Sequence, residues 1–421
     1  MNRIILVSLF LAMCNLLIAQ DLKTLANKEI DNENYLKAVS YLEQAVVSNP
    51  KDSEAWYLLG HCLHWLYYDS VPFTGYNQHA SDRVLDCLQK ALTLDPQLRN
   101  CYAVIGSEYG ARAVNELQAG NRSGFINQLR LGQKAGGYPD WLLEYARNTL
   151  NSCGQDAILF AGGDADVFPV WYCQFIENVR TDVTLIPVAL LDRPWLILLL
   201  KSGVNDFIQP VAMTWTREQI MDMHITKWMT QIVDLPVPLE ARRRFDTIDS
   251  SLQWVLTPDI QRNDRNFLSI NRIILLGLLT ANNWHRPVHF TLGCQPWMLS
   301  DLNNHLQLHG ITMEFVPFLT EVTGKKINID ATTRVLKDAN NFQKFATLKN
   351  QNIPSISPVL NNYRVAYLQA CDSLLHSGDF KSACRIFDLM EANVPESVFP
   401  MPDGWKNEID NLRERIKASR Y

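Results

Sequence analysis

A self-similarity of about 34 residues in the amino-terminal third restricts the fold of this chain more than any other feature. Ala26, Ala38, Leu42, Ala45 and Pro50 supply a small, small, large, small and proline pattern. Trp56, Leu59, Gly60 and Leu63, followed by Leu88, Ala91 and Pro96, repeat it with an insertion from Ser70 to Ser81. A third unit opens at Tyr102, Ile105, Gly106 and Tyr109 and closes around Ala135. Small residues are needed where the two helices of a hairpin cross closely, and proline ends the second helix because it cannot donate the next hydrogen bond. One hairpin cannot cover its own apolar stripe, so three in succession must stack into a short solenoid with a concave face.

The pattern is that of tetratricopeptide repeats, and it predicts an all-α solenoid over residues 21–150. Its concave face could hold a protein or peptide partner, or the stack could only support the rest of the chain; a repeat fold alone leaves both open. His61 and His64, three apart on one helix, read as packing residues, since a metal would need further ligands beside them.

Residues 1–20 read as a secretory signal peptide: Arg3, then an uncharged run from Ile4 to Ala19, then Gln20. That run is short of the roughly 20 residues that span a bilayer. Leu185 to Leu200 is broken by Asp192, Arg193 and Pro194, so the mature chain is expected to have no transmembrane helix. The expected location is outside the cytoplasm, in a periplasm or cell envelope. Eight cysteines remain after the leader, with no CxxC pair and no zinc-ligand spacing. Lys and Arg number 39 against 44 Asp and Glu, a net charge of -5, which argues against nucleic acid as a partner.

From Cys153 the period changes. Ala157 to Ala161 is a short apolar run closed by Gly162-Gly163, helical spacing follows from Val167 to Val179, and Val183 to Leu191 is a second run ahead of a helix from Pro194. Ile273 to Ala281 reads as a helix, and Pro287 to Leu292 and Ile311 to Pro317 as strands. Alternating strands and helices predict a Rossmann-like α/β domain over 151–330 with a short, mostly parallel sheet. Ligands of such sheets sit beyond the carboxyl ends of the strands.

Asp164 and Asp166 stand at that edge, and Trp171 follows on the helix. Two acidic groups on a glycine turn could hold Mg or Mn with a nucleotide-sugar. The reading preferred here is that Asp166 caps the helix and Asp164 shapes the turn, with no cofactor. Asn282, Asn283 and Arg286 could orient a polar ligand or tie their loop down. His285 and His289, four apart on an extended stretch, are separated by roughly 13 Å and cannot share an ion. No G-x-S-x-G elbow, HExxH, P-loop or dinucleotide fingerprint occurs, so the balance leans away from an enzyme.

Gly163-Asp164-x-Asp166-x-Phe168-Pro169-x-Trp171-Tyr172, Arg180-x-Asp182-Val183, Ala281-Asn-Asn-Trp284, Arg286-Pro287, Phe290, Leu308-His-Gly310 and Val316-Pro317 resemble, in order, the soluble carboxy-terminal domain of the bacterial protein O-mannosyltransferase-like membrane family. The similarity runs through roughly residues 150–400, including a helical pair from Tyr363 to Pro395. In that family a multi-span membrane portion precedes the domain, whereas here the repeats occupy its place, so transferase activity does not follow from the resemblance. Ala165 and His285 depart from the polar and basic residues usual at those places.

Residues 331–421 read as repeat-like helices: a hairpin containing Cys371 and Cys384, whose facing positions would permit a disulfide, and an amphipathic helix from Trp405. Gln351 to Pro358 reads as a linker. The expected function is an exported interaction or scaffold protein of the cell envelope that binds a protein partner through its repeats. The alternative is an accessory or enzyme of envelope glycosylation that binds a sugar or nucleotide-sugar with a divalent metal at Asp164 and Asp166.

Overall fold

The computed structural model describes residues 2–68, 75–96, 98, 101–204, 207–348, 357–397, 399, 401 and 404–418. The side chains of residues 1–16, most of the expected leader, lie outside this set, as do Pro72 of the expected insertion and residues 351–356 of the expected linker. The chain divides into two compact units, Met1–Pro139 and Asp140–Tyr421. The division falls ahead of the 150/151 position at which the sequence changes period, because the helix Asp140–Ser152 packs with the second unit.

The first unit is helical throughout its regular structure. Helices α1 (Asn2–Asp31) and α2 (Tyr35–Ser48), α3 (Ser53–Trp65) and α4 (Gln78–Leu94), and α5 (Cys101–Gln118) and α6 (Arg122–Lys134) form three hairpins. Asp52, Asn77 and Asn121 start α3, α4 and α6 by accepting from the N–H groups of Ala55, Ala80 and Gly124. Pro50 and Pro96 lie two residues past α2 and α4. Ala26, Ala38, Leu42, Leu59, Leu88 and Ala91 share one buried core. The small residues mark close crossings: a Cβ on Gly60 would lie 3.0 Å from the Leu88 side chain, and one on Gly106 only 2.8 Å from the Gly137 carbonyl oxygen.

The second unit opens with α7 (Asp140–Ser152) and is built on a mixed six-stranded sheet in the order β11-β9-β10-β8-β1-β2. In chain order its elements are β1 (Ile158–Ala161), α8 (Asp164–Phe175), β2 (Thr184–Pro187), α9 (Pro194–Ser202), α10 (Arg217–Met221), β3 (Thr226–Lys227), β4 (Gln231–Pro236), α11 (Leu239–Phe245), β5 (Ser251–Leu256), β6 (Ile260–Arg262), β7 (Arg265–Leu268), α12 (Ile270–Asn282), β8 (Val288–Thr291), β9 (Leu306–His309), β10 (Thr312–Phe315), β11 (Ile327–Asn328), α13 (Ile329–Lys337), α14 (Ser357–His376), α15 (Phe380–Asn393) and α16 (Trp405–Ala418). Strand β1 pairs in parallel with β2 and β8, but β10 runs antiparallel to both β8 and β9. The expectation of a mostly parallel sheet is corrected on that side. Gly310 and Ile311 alone join β9 to β10, and a two-residue turn can only reverse the chain.

Alternation along the strands divides the sheet into two faces. Ile158, Phe160, Ile186, Val288 and Phe290 pack into one core with Ile274, Leu275 and Leu278 of α12, and the Phe160 and Phe290 rings stack at 5.1 Å. Leu159, Leu185 and His289 point to the opposite face. The crossovers from β1 to β2 and from β2 back past β1 to β8 run in opposite directions. Because such connections are right-handed, α8 and α12 cover opposite faces. Between α9 and α12 the chain carries a three-stranded sheet, β3-β7-β6, and a two-stranded one, β4-β5, which no periodicity in the sequence announced.

Candidate functional site

The chain leaves β1 toward β2 and leaves β8 toward β9 and β10, so the topological switch point lies between the carboxyl ends of β1 and β8. Asp166 points into it. The Gly162 N–H donates to Thr291 Oγ1 at 3.2 Å, and that hydroxyl donates to Asp166 Oδ2 at 2.6 Å. The Gly293 N–H and the Tyr145 hydroxyl also bond the Asp166 carboxyl group, and Asn362 Nδ2 donates to Tyr145 at 2.8 Å. Burial pushes the Asp166 carboxyl group up to about 7, with Thr291, Gly293 and Tyr145 holding it partly down. The expected cap is therefore corrected: Gly163 is the N-cap of α8, Asp166 sits in the first turn, and its carboxyl group leaves the helix end to tie α8 to the loop after β8. A carboxyl group in the third helical position can turn sideways to a partner from another strand, which no local pattern reveals. Asp164 is the first residue of α8, where its charge favours the helix dipole.

The crevice itself is closed by backbone. A Cβ on Gly162 would lie 2.7 Å from Cys294 Cα, and one on Gly293 would lie 2.2 Å from Asp166 Oδ2. The two loops interlock here, and glycine is the only residue that lets them approach so closely.

Asn282, Asn283 and Arg286 lie at the other end of the strands. Arg286 spends its guanidinium on backbone and hydroxyl oxygens: Asp156 O, Ala157 O at 3.0 Å, Pro210 O at 3.1 Å and Thr184 Oγ1 at 2.7 Å. Asn282 donates to Arg286 O and accepts from its N–H, closing the turn, while Asn283 takes the left-handed conformation that ends α12. Arg180 forks onto Asp182 and reaches the carbonyls of Leu150, Cys153 and Gly154. Trp171 is buried in α8 beside Phe168. The six candidate ligand residues are thus not one constellation: Asp164 and Asp166 stand at the carboxyl edge, Trp171 inside, and Asn282, Asn283 and Arg286 at the amino edge.

The sequence missed two features. On the helical unit, Tyr57, His61 and Trp65 form a part-exposed aromatic row along α3, with ring centroids 5.9 and 6.1 Å apart. His61 Nδ1 has no hydrogen-bond partner among the described residues, and burial lowers its pKa to about 4. His64 instead meets Glu108 Oε1 at 2.7 Å inside the unit. On the sheet, His289 does meet another histidine, His309, with Glu314 beside both. The signal was absent because the partners come from the next hairpin, beyond reach of a local motif. None of the eight described cysteines is in a disulfide, so the bond allowed for Cys371 and Cys384 is not formed; each thiol bonds a carbonyl instead, Ala383 O and Ile416 O.

Residues 142–258 and 230–333 match the family model for TMEM260-associated domain 2. The two stretches overlap, fall within the sheet-bearing unit and stop ahead of the helical pair at its carboxyl end. No curated protein sequence matches the chain. Among the described residues, no helix is long and apolar enough to cross a membrane.

Proposed function

We propose that this chain is an exported, non-catalytic interaction protein of the bacterial cell envelope. Its helical unit, a tetratricopeptide-like solenoid in this reading, takes a protein or peptide partner, while the sheet unit, of Rossmann-like type, serves as a scaffold. Residues 1–20 act as a leader removed on export. The observation that carries the proposal is the row Tyr57, His61 and Trp65, which presents partly exposed rings on a single face of α3. Large amphipathic rings with few rotatable bonds are the usual anchors of protein recognition. The sheet unit supports the same view from the other side. Its switch-point crevice is filled by backbone, and its polar motif residues spend their bonds on carbonyls and turns.

A test uses the full chain with a photo-reactive residue in place of Trp65, irradiated in envelope extracts. The expected result is one discrete adduct, weakened by Tyr57→Ala and His61→Ala. The same probe in place of Phe380, on the other unit, should give none. Absence of an adduct at Trp65, or equal adducts at both places, would overturn the proposal.

The second reading is an accessory of envelope glycosylation holding Mg or Mn at Asp164 and Asp166. It draws on the family match, since TMEM260 is associated with protein O-mannosyl transfer. It has less support, because a cation would have to displace the three donors that already bond Asp166.

A further inference from the structure

Strands β8, β10 and β9 are neighbours, and they set three metal-ligating side chains on one face of the sheet. His289 faces Glu314 across β8 and β10, and His309 faces Thr312 across β9 and β10. One ligand atom from each of His289, His309 and Glu314 lies within 4.8 Å of the others. The β9–β10 turn is pinned, its Gly310 N–H donating to Thr332 Oγ1 at 3.2 Å and its Ile311 N–H to Ser152 Oγ at 3.0 Å.

Hydrogen bonding also fixes the imidazole of His289. Thr312 Oγ1 donates to His309 O at 2.9 Å, so toward His289 Nδ1, also at 2.9 Å, it can only accept. The proton is therefore on Nδ1, and Nε2 carries the lone pair. Only a longer contact, the Gly154 N–H at 3.2 Å, meets that lone pair. A ring N–H held by an outer partner is the arrangement found around metal-bound histidine, and a metal at Nε2 would take the place of the Gly154 N–H. His309 Nδ1 lies 2.7 Å from Glu314 Oε2, and the His309 side chain is 23% exposed, so the cluster opens to solvent on that side.

We propose that His289, His309 and Glu314 bind one divalent transition-metal ion of the zinc class, with a fourth position open to water. Two imidazoles and a carboxylate suit zinc and its neighbours, whereas Mg or Ca would call for oxygen ligands. Ligand atoms around tetrahedral zinc lie about 3.3 Å apart, so side-chain rotation has to open the 2.7 Å His309–Glu314 contact and bring His289 in, and the Gly154 N–H gives up its contact. This site is separate from the aromatic row on the helical unit, and the two proposals stand or fall independently.

The test titrates the metal-free full chain, kept reduced, with Co²⁺ and then Zn²⁺. The expected result is one equivalent of Co²⁺ with visible d–d bands and no thiolate-to-cobalt charge-transfer band, displaced by Zn²⁺. His309→Gln, at a part-exposed position, should abolish the bands, and the buried isosteric change Thr312→Val should weaken binding about 10-fold. Three outcomes would overturn the proposal: no Co²⁺ bound, a thiolate band showing that cysteine holds the ion, or unchanged affinity in folded His309→Gln.

Discussion

Asp166 shows how one residue type serves opposite ends depending on its surroundings. In the sequence it is an acidic residue in a helix-start pattern, where a charged carboxylate would stabilise the first turn. Folded, it is buried against Thr291, Gly293 and Tyr145, and its carboxyl group titrates near 7. A folded pKa above the unfolded value means that stability is fully present below about pH 4 and is lost as pH rises through about 7. Asp166→Asn should therefore flatten the difference between pH 5 and pH 8. Wild type should lose on the order of 2–4 kcal/mol more than the variant over that range, measured by urea unfolding of both proteins. Equal pH slopes would show that the carboxyl group is not desolvated. Arg286 makes a complementary point. A basic residue near two asparagines could orient a polar ligand, yet its fork is filled by carbonyls that only the packed strands bring within reach.

At the scale of elements, the helical hairpins were legible because their spacing repeats and because close crossings demand small residues. Gly60 and Gly106 occupy equivalent places but differ in what they meet. An added methyl at Gly60 meets a leucine side chain that can rotate, whereas at Gly106 it meets the Gly137 carbonyl, which cannot. Gly106→Ala should cost about 1–3 kcal/mol by overpacking. Gly60→Ala should be near neutral, its crowding offset by the roughly 1 kcal/mol gain in helix propensity. Thermal unfolding followed by circular dichroism ranks the pair, and the reverse order would contradict the backbone crossing. The strand and helix succession from β1 to α9 was equally legible from its short apolar runs. The small β3–β7 sheets were not. Strands β3, β4, β6 and β7 are short or mostly exposed and lack a clear alternation or apolar run, while β5 alternates in burial at Leu252, Trp254 and Leu256 but carries an apolar Val255 on its exposed side, which blurs the pattern.

For the whole molecule, the two compact units imply separate folding. The fragment 140–421 should fold alone, with a cooperative transition and with the near-UV circular dichroism of its buried aromatic residues intact. A fragment beginning at 151, where the period changes, lacks α7. It should lose the Tyr145 bond to Asp166 and the Asn148 carbonyl that holds Ser152 Oγ toward the β9–β10 turn, and should unfold more readily. Comparable midpoints in guanidinium for the two fragments would place α7 outside the cooperative unit.

By itself the sequence determined the elements whose cause is local: helices set by apolar period and small residues, parallel strands set by short apolar runs between turns, and glycines where backbones meet. Tertiary structure alone decided what the polar side chains do. Asp166, Arg286 and His289 find their partners 125, 129 and 23 positions away, at Thr291, Ala157 and Thr312. A hydrogen bond or a ligand set depends on distance in space, which chain order does not encode.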